Sequence, residues 1–148
     1  MSLFPPQLIA RQHEASQIGR LGEILAAYYL ELYGVQTEIV RGVGSDLWCT
    51  TEDGFMFTCE VKTCHIPYMN SKTCRNASYR FHVESDVQRK SDIHALVGLD
   101  LMSVKYVLTD DLPAGGKKIL KAKHLDEAQI FPSIEDTLQR LLENRKAA

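Results

Sequence analysis

At 148 residues, with ordinary apolar and charged fractions, the chain is sized for one domain spanning 1–148 with a core of its own. No apolar run approaches the roughly 20 residues of a membrane-spanning helix, and the first residues show no charged-then-apolar leader. No membrane partner and a cytoplasmic location are therefore expected. A formal charge of -2 excludes a uniformly basic nucleic-acid binder, yet the charge is uneven. Residues 1–60 hold three Lys/Arg against eight Asp/Glu, and residues 61–90 hold six against two. The remainder is near balance, at eight against nine. Basic residues thus cluster at Lys62, Lys72, Arg75, Arg80, Arg89 and Lys90.

In chain order, positions 14–33 predict a helix stopped by Gly34. Ile18, Leu21, Leu25, Tyr28 and Leu32 form its expected apolar stripe. A second stripe of Gly19, Glu23, Ala26 and Leu30, with Gly22 beside it, would admit a close neighbour. Short strands are expected at 35–40, 46–51 and 55–64, and residues 65–80 read as a polar, basic loop with tyrosines. A strand at 81–84, a short helix at 85–91 and buried strands at 93–101 and 104–109 follow. Residues 110–118, with Pro113 and Gly115-Gly116, read as a loop. A final helix capped by Ser133 would bury Ile134, Leu138, Leu141 and Leu142. The pattern is that of an α/β domain.

The chemistry concentrates on the second and third strands. Residues two apart in a strand share a face, so Phe55, Phe57, Cys59 and Val61 point one way and Met56, Thr58, Glu60 and Lys62 the other. A two-residue loop at Asp53-Gly54 would set Asp46 opposite Val61, on the wrong face. A three-residue loop, Glu52-Asp53-Gly54, sets Asp46 opposite Glu60 and places glycine where a left-handed residue is needed. That register also turns Leu47 and Cys49 toward the apolar side, so burial and chemistry agree. Two converging carboxylates call for a cation between them, and hard oxygen ligands select Mg2+, or Mn2+ in its place. Lys62 beside them can neutralise charge building on a phosphate.

Gly19-Arg-Leu-Gly-Glu23, Gly44-Ser-Asp46-Leu and Cys59-Glu-Val-Lys-Thr63, in this order and spacing, resemble the PD-(D/E)XK nuclease superfamily. Within it the run is most similar to small intron-type homing endonucleases and related phage or bacterial nucleases. The resemblance covers about residues 16–64. It implies a restriction-endonuclease-like αβββαβ core with a central mixed β-sheet flanked by helices. It also implies metal ligation by Asp46, Glu60 and the carbonyl of Val61, with Lys62 as catalytic lysine and Glu23 as a first-helix acid. Glu14 is a second choice for that last role. Ser45 stands where the name-giving proline would be. The implied activity is metal-dependent DNA endonuclease action. A Holliday-junction resolvase, another structure-specific nuclease or a non-catalytic DNA-binding domain of the same fold are the alternatives.

Lys72, Arg75 and Arg80, with Tyr68 and Tyr79, are candidates to grip phosphates and stack on bases. Gln88, Arg89 and Lys90 are similar but weaker candidates. Trp48 would share the face of Asp46 and pack under the first helix or at a subunit contact. Cutting two strands with a small nuclease calls for two sites, hence a homodimer or homotetramer. Cys49, Cys59, Cys64 and Cys74 fit no zinc-knuckle spacing and read as reduced thiols. Zinc on Cys59, Cys64, His65 and Cys74 is disfavoured, because alternation puts Cys59 and Cys64 on opposite faces. His13, His82, His94 and His124 show no ligand spacing.

Overall fold

The computed structural model describes residues 15–40, 44–68, 77–85 and 91–148. A first helix, α1 (Ala15–Tyr33), leads into β1 (Gln36–Ile39), β2 (Leu47–Thr50) and β3 (Met56–Cys64). Next come β4 (Ser78–Val83), β5 (Ile93–Gly98), β6 (Ser103–Leu108), β7 (Gly116–Lys121) and a last helix, α2 (Ile130–Ala147). Five strands form a mixed sheet in the order β1-β2-β3-β5-β6, parallel only between β3 and β5. The other two, β4 and β7, pair antiparallel as a separate small sheet. The α/β class and central mixed sheet expected from the sequence are what is found.

The helices share one face of the large sheet. Leu25, Ala26 and Leu30 of α1 and Ile130, Ile134, Leu138 and Leu141 of α2 close over Leu47, Phe57, Cys59, Ile93, Ala95, Val97 and Tyr106. The Tyr106 hydroxyl crosses this core to donate a 2.6 Å hydrogen bond to the carbonyl of Ala26. On the opposite face, Tyr79, Phe81, Val83 and Leu120 of the small sheet pack with Leu96. This explains why every residue of β5 is buried: it is covered from both sides. The small sheet does not cover β1 and β2, where Glu38 and Trp48 stay exposed.

Gly34, at φ +107, ends α1. Its amide donates to Glu31 and that of Val35 to Leu30, a pairing that satisfies the last carbonyls. The face that α1 buries coincides only in part with the expected stripe, through Leu25 and the half-buried Ile18. Gly22, Leu25, Ala26 and Leu30 face the sheet, while Leu21, Tyr28 and Leu32 of the predicted stripe are exposed. Close approach decides this: the backbone at Gly22 lies against Thr63, where a Cβ would fall 1.8 Å from the hydroxyl oxygen. A stripe of bulky residues could not sit so near a strand.

Other boundaries shift as well. Residues 78–80 belong to β4 rather than to a loop, and β7 takes residues 116–118 of the expected second loop. The fifth strand ends at Gly98, where a short 3-10 turn, Leu99–Leu101, begins. Ser133 does not cap α2, which starts at Ile130. Its hydroxyl donates to the carbonyl of Ile130 and accepts from the amide of Tyr106, fastening the helix to β6. Most of the short helix expected at 85–91 lies outside the described residues.

Candidate active site

The hairpin between β2 and β3 positions the two carboxylates. Thr51 donates its amide to the carbonyl of Phe55 and Gly54 donates to Thr51, with Gly54 at φ +86. This is the three-residue loop, closed by a left-handed glycine. Leu47 pairs with Cys59 and Trp48 with Thr58, which brings Asp46 level with Glu60 on one face. Leu47, Cys49, Phe57, Cys59 and Val61 are all buried on the other. Register and burial are thus the ones the alternation predicts.

Around these strands the charges are closely spaced. Oδ2 of Asp46 accepts a 2.8 Å hydrogen bond from the amide of Val61. The Lys62 ammonium lies 3.3 Å from Oε1 of Glu60 and 3.1 Å from Oε1 of Glu84. Burial, and then the charge of Asp46, lift the Glu60 carboxyl from 4.5 to about 7, with Lys62 pulling the other way. Burial lowers the affinity of Lys62 for its proton, but Glu84 and Glu60 outweigh it, and the lysine is raised from its usual value. Among the described residues no three His, Cys, Asp or Glu side chains cluster as metal ligands. What is present is a carboxylate pair with repulsion to relieve, and its hard oxygens fit a divalent ion such as Mg2+.

Glu84, just past the end of β4, escaped the sequence reading because its link to Lys62 spans 22 residues. His94 carries no such sequence signal either. It stands beside Glu60 in the parallel register, is buried, and shares a 2.9 Å hydrogen bond between Nδ1 and the hydroxyl of Thr109. Only the parallel pairing of β3 with β5 reveals that neighbour. Ser45 is also buried, its hydroxyl 2.7 Å from that of Ser91, and so ties the start of β2 to the start of β5.

Glu23 is half-buried and follows Gly22, which contacts Thr63, the residue after Lys62. Thr63 alternates with Cys59 and Val61 on the helix-side face of β3, opposite Glu60 and Lys62. Glu14 lies outside the described residues, as do Lys72, Arg75, Gln88, Arg89 and Lys90.

One aromatic expectation is overturned, and one of the two readings of Trp48 falls. Tyr79 is only 1% exposed, packed in the second core, with its hydroxyl donating to Asp100, so its ring cannot stack on a base. Trp48 does not pack under α1; it is 47% exposed on the outer sheet face. The helices cover the opposite face, which the register assigns to its neighbours Leu47 and Cys49. Tyr68 and Arg80 remain exposed, and the Arg80 guanidinium sits 4.0 Å above the Tyr68 ring.

Cys49, Cys59 and Cys64 are free thiols. Cys59 lies wholly inside the helix-side core and Cys64 borders the second core, so they cannot share a metal. Cys74 lies outside the described residues. None of the described helices is long and apolar enough to cross a membrane.

Neither a protein-family model nor a curated protein matches the sequence. A solved structure does match the fold: the bacterial homing endonuclease I-Ssp6803I, with a TM-score of 0.64 over 93% of this chain and 100% of that one. Identity is 14%, so the likeness is one of fold.

Proposed function

We propose that the protein is a metal-dependent DNA endonuclease of the PD-(D/E)XK type, with Asp46, Glu60 and Lys62 as its catalytic core. The observation that carries this reading is the convergence of Asp46 and Glu60 on one sheet face with Lys62 bonded to Glu60. The fold shared with a homing endonuclease supports it, and a homing-type, site-specific role is the finer reading we favour.

Asp46, Glu60 and the carbonyl of Val61 are the groups that would hold Mg2+, with Mn2+ able to substitute. The ion would supply Lewis acidity toward a phosphoryl oxygen and toward the attacking water. Lys62 offsets the negative charge that gathers on the phosphate as it is attacked. The Asp46 carboxylate is oriented by the Val61 amide before any substrate arrives. Glu84 positions the lysine, and Glu23 is the first-helix acid that would assist water or metal in this reading.

Duplex cleavage needs two such sites. The exposed apolar stripe of Leu21, Ile24, Tyr28 and Leu32 on α1 is a surface suited to a second copy of the chain. A homodimer or homotetramer follows from that reading.

The direct test is plasmid nicking with Mg2+ against EDTA, run beside Lys62→Ala. Nicking that needs the metal and is lost in the variant is the expected result. Protein that binds DNA yet never cuts it, under any divalent metal, would instead favour a binding domain on a nuclease fold.

A further inference from the structure

We propose that the outer face of the small β4–β7 sheet is a duplex-DNA binding surface that seats in the major groove beside the candidate active site. The proposal rests on the nuclease reading for its partner and on separate residues for its substance. In the β4–β7 register Ser78 faces Lys121, Arg80 faces Ile119 and His82 faces Lys117. Tyr79, Phe81, Val83 and Leu120 are buried beneath. Strand alternation therefore puts Ser78, Arg80, His82, Lys117, Ile119 and Lys121 together on the outer side. All but the half-buried Ser78 are exposed. That face carries three full positive charges and a histidine, with no carboxylate among its six residues.

The surrounding field has the same sign. Burial, then Lys105, Lys123, Lys118 and Lys121, hold His124 below the usual histidine range. A phosphate backbone is the natural counter-charge for such a surface.

Shape narrows the partner to a B-form duplex. Two strands about 4.8 Å apart, with their side chains, fit a major groove roughly 12 Å wide. Six residues per strand run about 20 Å, or roughly six base-pair rises. The deep, narrow major groove of A-form RNA would not admit the ribbon. Arg80 and Ile119 form a central pair, cationic and apolar, of the kinds that meet guanine edges and thymine methyls.

Position ties the surface to the chemistry. Arg80 and His82 lie on β4, which ends at Val83, and the next residue, Glu84, reaches the Lys62 ammonium at 3.1 Å. A duplex laid along the ribbon would thus lead to Lys62 and Glu60. Block charge counts conceal this, because β7 lies in the balanced third of the sequence. The local signal is four lysines at 117, 118, 121 and 123.

The test is anisotropy of a fluorescein-labelled 30-base-pair DNA duplex in Ca2+, titrated with NaCl, using the full chain. Lys117→Ala with Lys121→Ala should reduce the log-log salt slope by about two and weaken binding roughly 30-fold near 0.15 M salt. Lys117→Arg with Lys121→Arg should restore both, and Lys146→Ala, on the far end of α2, should match wild type. Methyl green, a major-groove ligand, should compete, whereas the minor-groove ligand netropsin should not.

Wild-type binding with an unchanged slope in the alanine pair would overturn the ribbon while leaving the nuclease reading intact. So would netropsin competing in place of methyl green, or an RNA duplex binding equally well. Loss of binding in the pair, in a protein that never cuts DNA, would uphold the ribbon and remove the nuclease reading. A wild type that binds no DNA removes both.

Discussion

The ammonium of Lys62 is shared between two carboxylates, 3.1 Å from Glu84 and 3.3 Å from Glu60. One partner sits two residues away on the same strand, and the other arrives from a different sheet. The lysine is thereby held over the face where Asp46 and Glu60 converge, and its orientation does not depend on substrate.

Removing that cation should be costly to catalysis. Lys62→Met is expected to lower cleavage by about 100- to 1000-fold. Glu84→Gln keeps an acceptor for the ammonium but removes a charge, so a loss of about three- to tenfold is expected. Single-turnover cleavage of a supercoiled plasmid measures both. Equal losses in the two variants would contradict a positioning role for Glu84.

The Glu60 carboxyl gives a stability signature in metal-free protein. Its affinity for the proton is higher in the fold, at about 7, than the ordinary 4.5, because it is buried beside Asp46. The folded state therefore binds the proton more tightly than the unfolded chain does. The stabilisation is complete below about pH 4.5 and is lost as pH rises through about 7. In EDTA, thermal melts should show wild type losing ground over that window. Glu60→Gln should flatten the loss and be the more stable protein by about 1–2 kcal/mol at about pH 8, allowing for solvent screening. Parallel pH profiles for the two would sink the assignment. Because metal and proton compete for the same oxygens, Mg2+ affinity should rise across the same window.

The two glycines of the first-helix motif should behave in opposite ways. An alanine Cβ at position 22 would fall 1.8 Å from Oγ1 of Thr63, whereas position 19 has nothing within 4 Å. Overpacking costs about 1–3 kcal/mol, and replacing a helical glycine by alanine returns about 0.5–1. Gly22→Ala should therefore destabilise the protein, Gly19→Ala should stabilise it, and Thr63→Ala should relieve part of the Gly22→Ala penalty. Urea denaturation of the three variants and the double mutant provides the cycle. A neutral Gly22→Ala would mean that α1 and β3 can separate freely.

The exposed stripe on α1 leads to a prediction about assembly. Tyr28 is 55% and Leu32 57% exposed on the side away from the core. If a second copy covers them, Tyr28→Asp with Leu32→Asp should yield a folded monomer by sedimentation velocity. Such a monomer should nick plasmid rather than linearise it. A wild type that is already monomeric at about 50 µM would end this idea without touching the site itself.

Where interactions are local, the chain alone determined the outcome. Alternation along residues 55–64 separates Cys59 and Val61 from Glu60 and Lys62, because a pleated backbone admits only that division. Loop length and a left-handed glycine at 54 then place Asp46 level with Glu60, since a slip of one residue would bury charge and expose Leu47. Gly34 stops α1 for an equally local reason.

Where a partner had to arrive from far along the chain, only the tertiary structure decided. Two stripes of α1 were each apolar enough to be buried, and the bare backbone at Gly22 settled the choice by admitting Thr63. Tyr79 looked like a base-stacking residue until β7 and Leu96 enclosed it. Trp48 could have packed under α1 or met a second copy, and the helices, by taking the other face, removed the first of these. Glu84, His94 and the lysines of β7 gained their places through pairings between distant segments. Short-range pattern specifies which face a residue joins; it carries no information about which distant segment will cover that face.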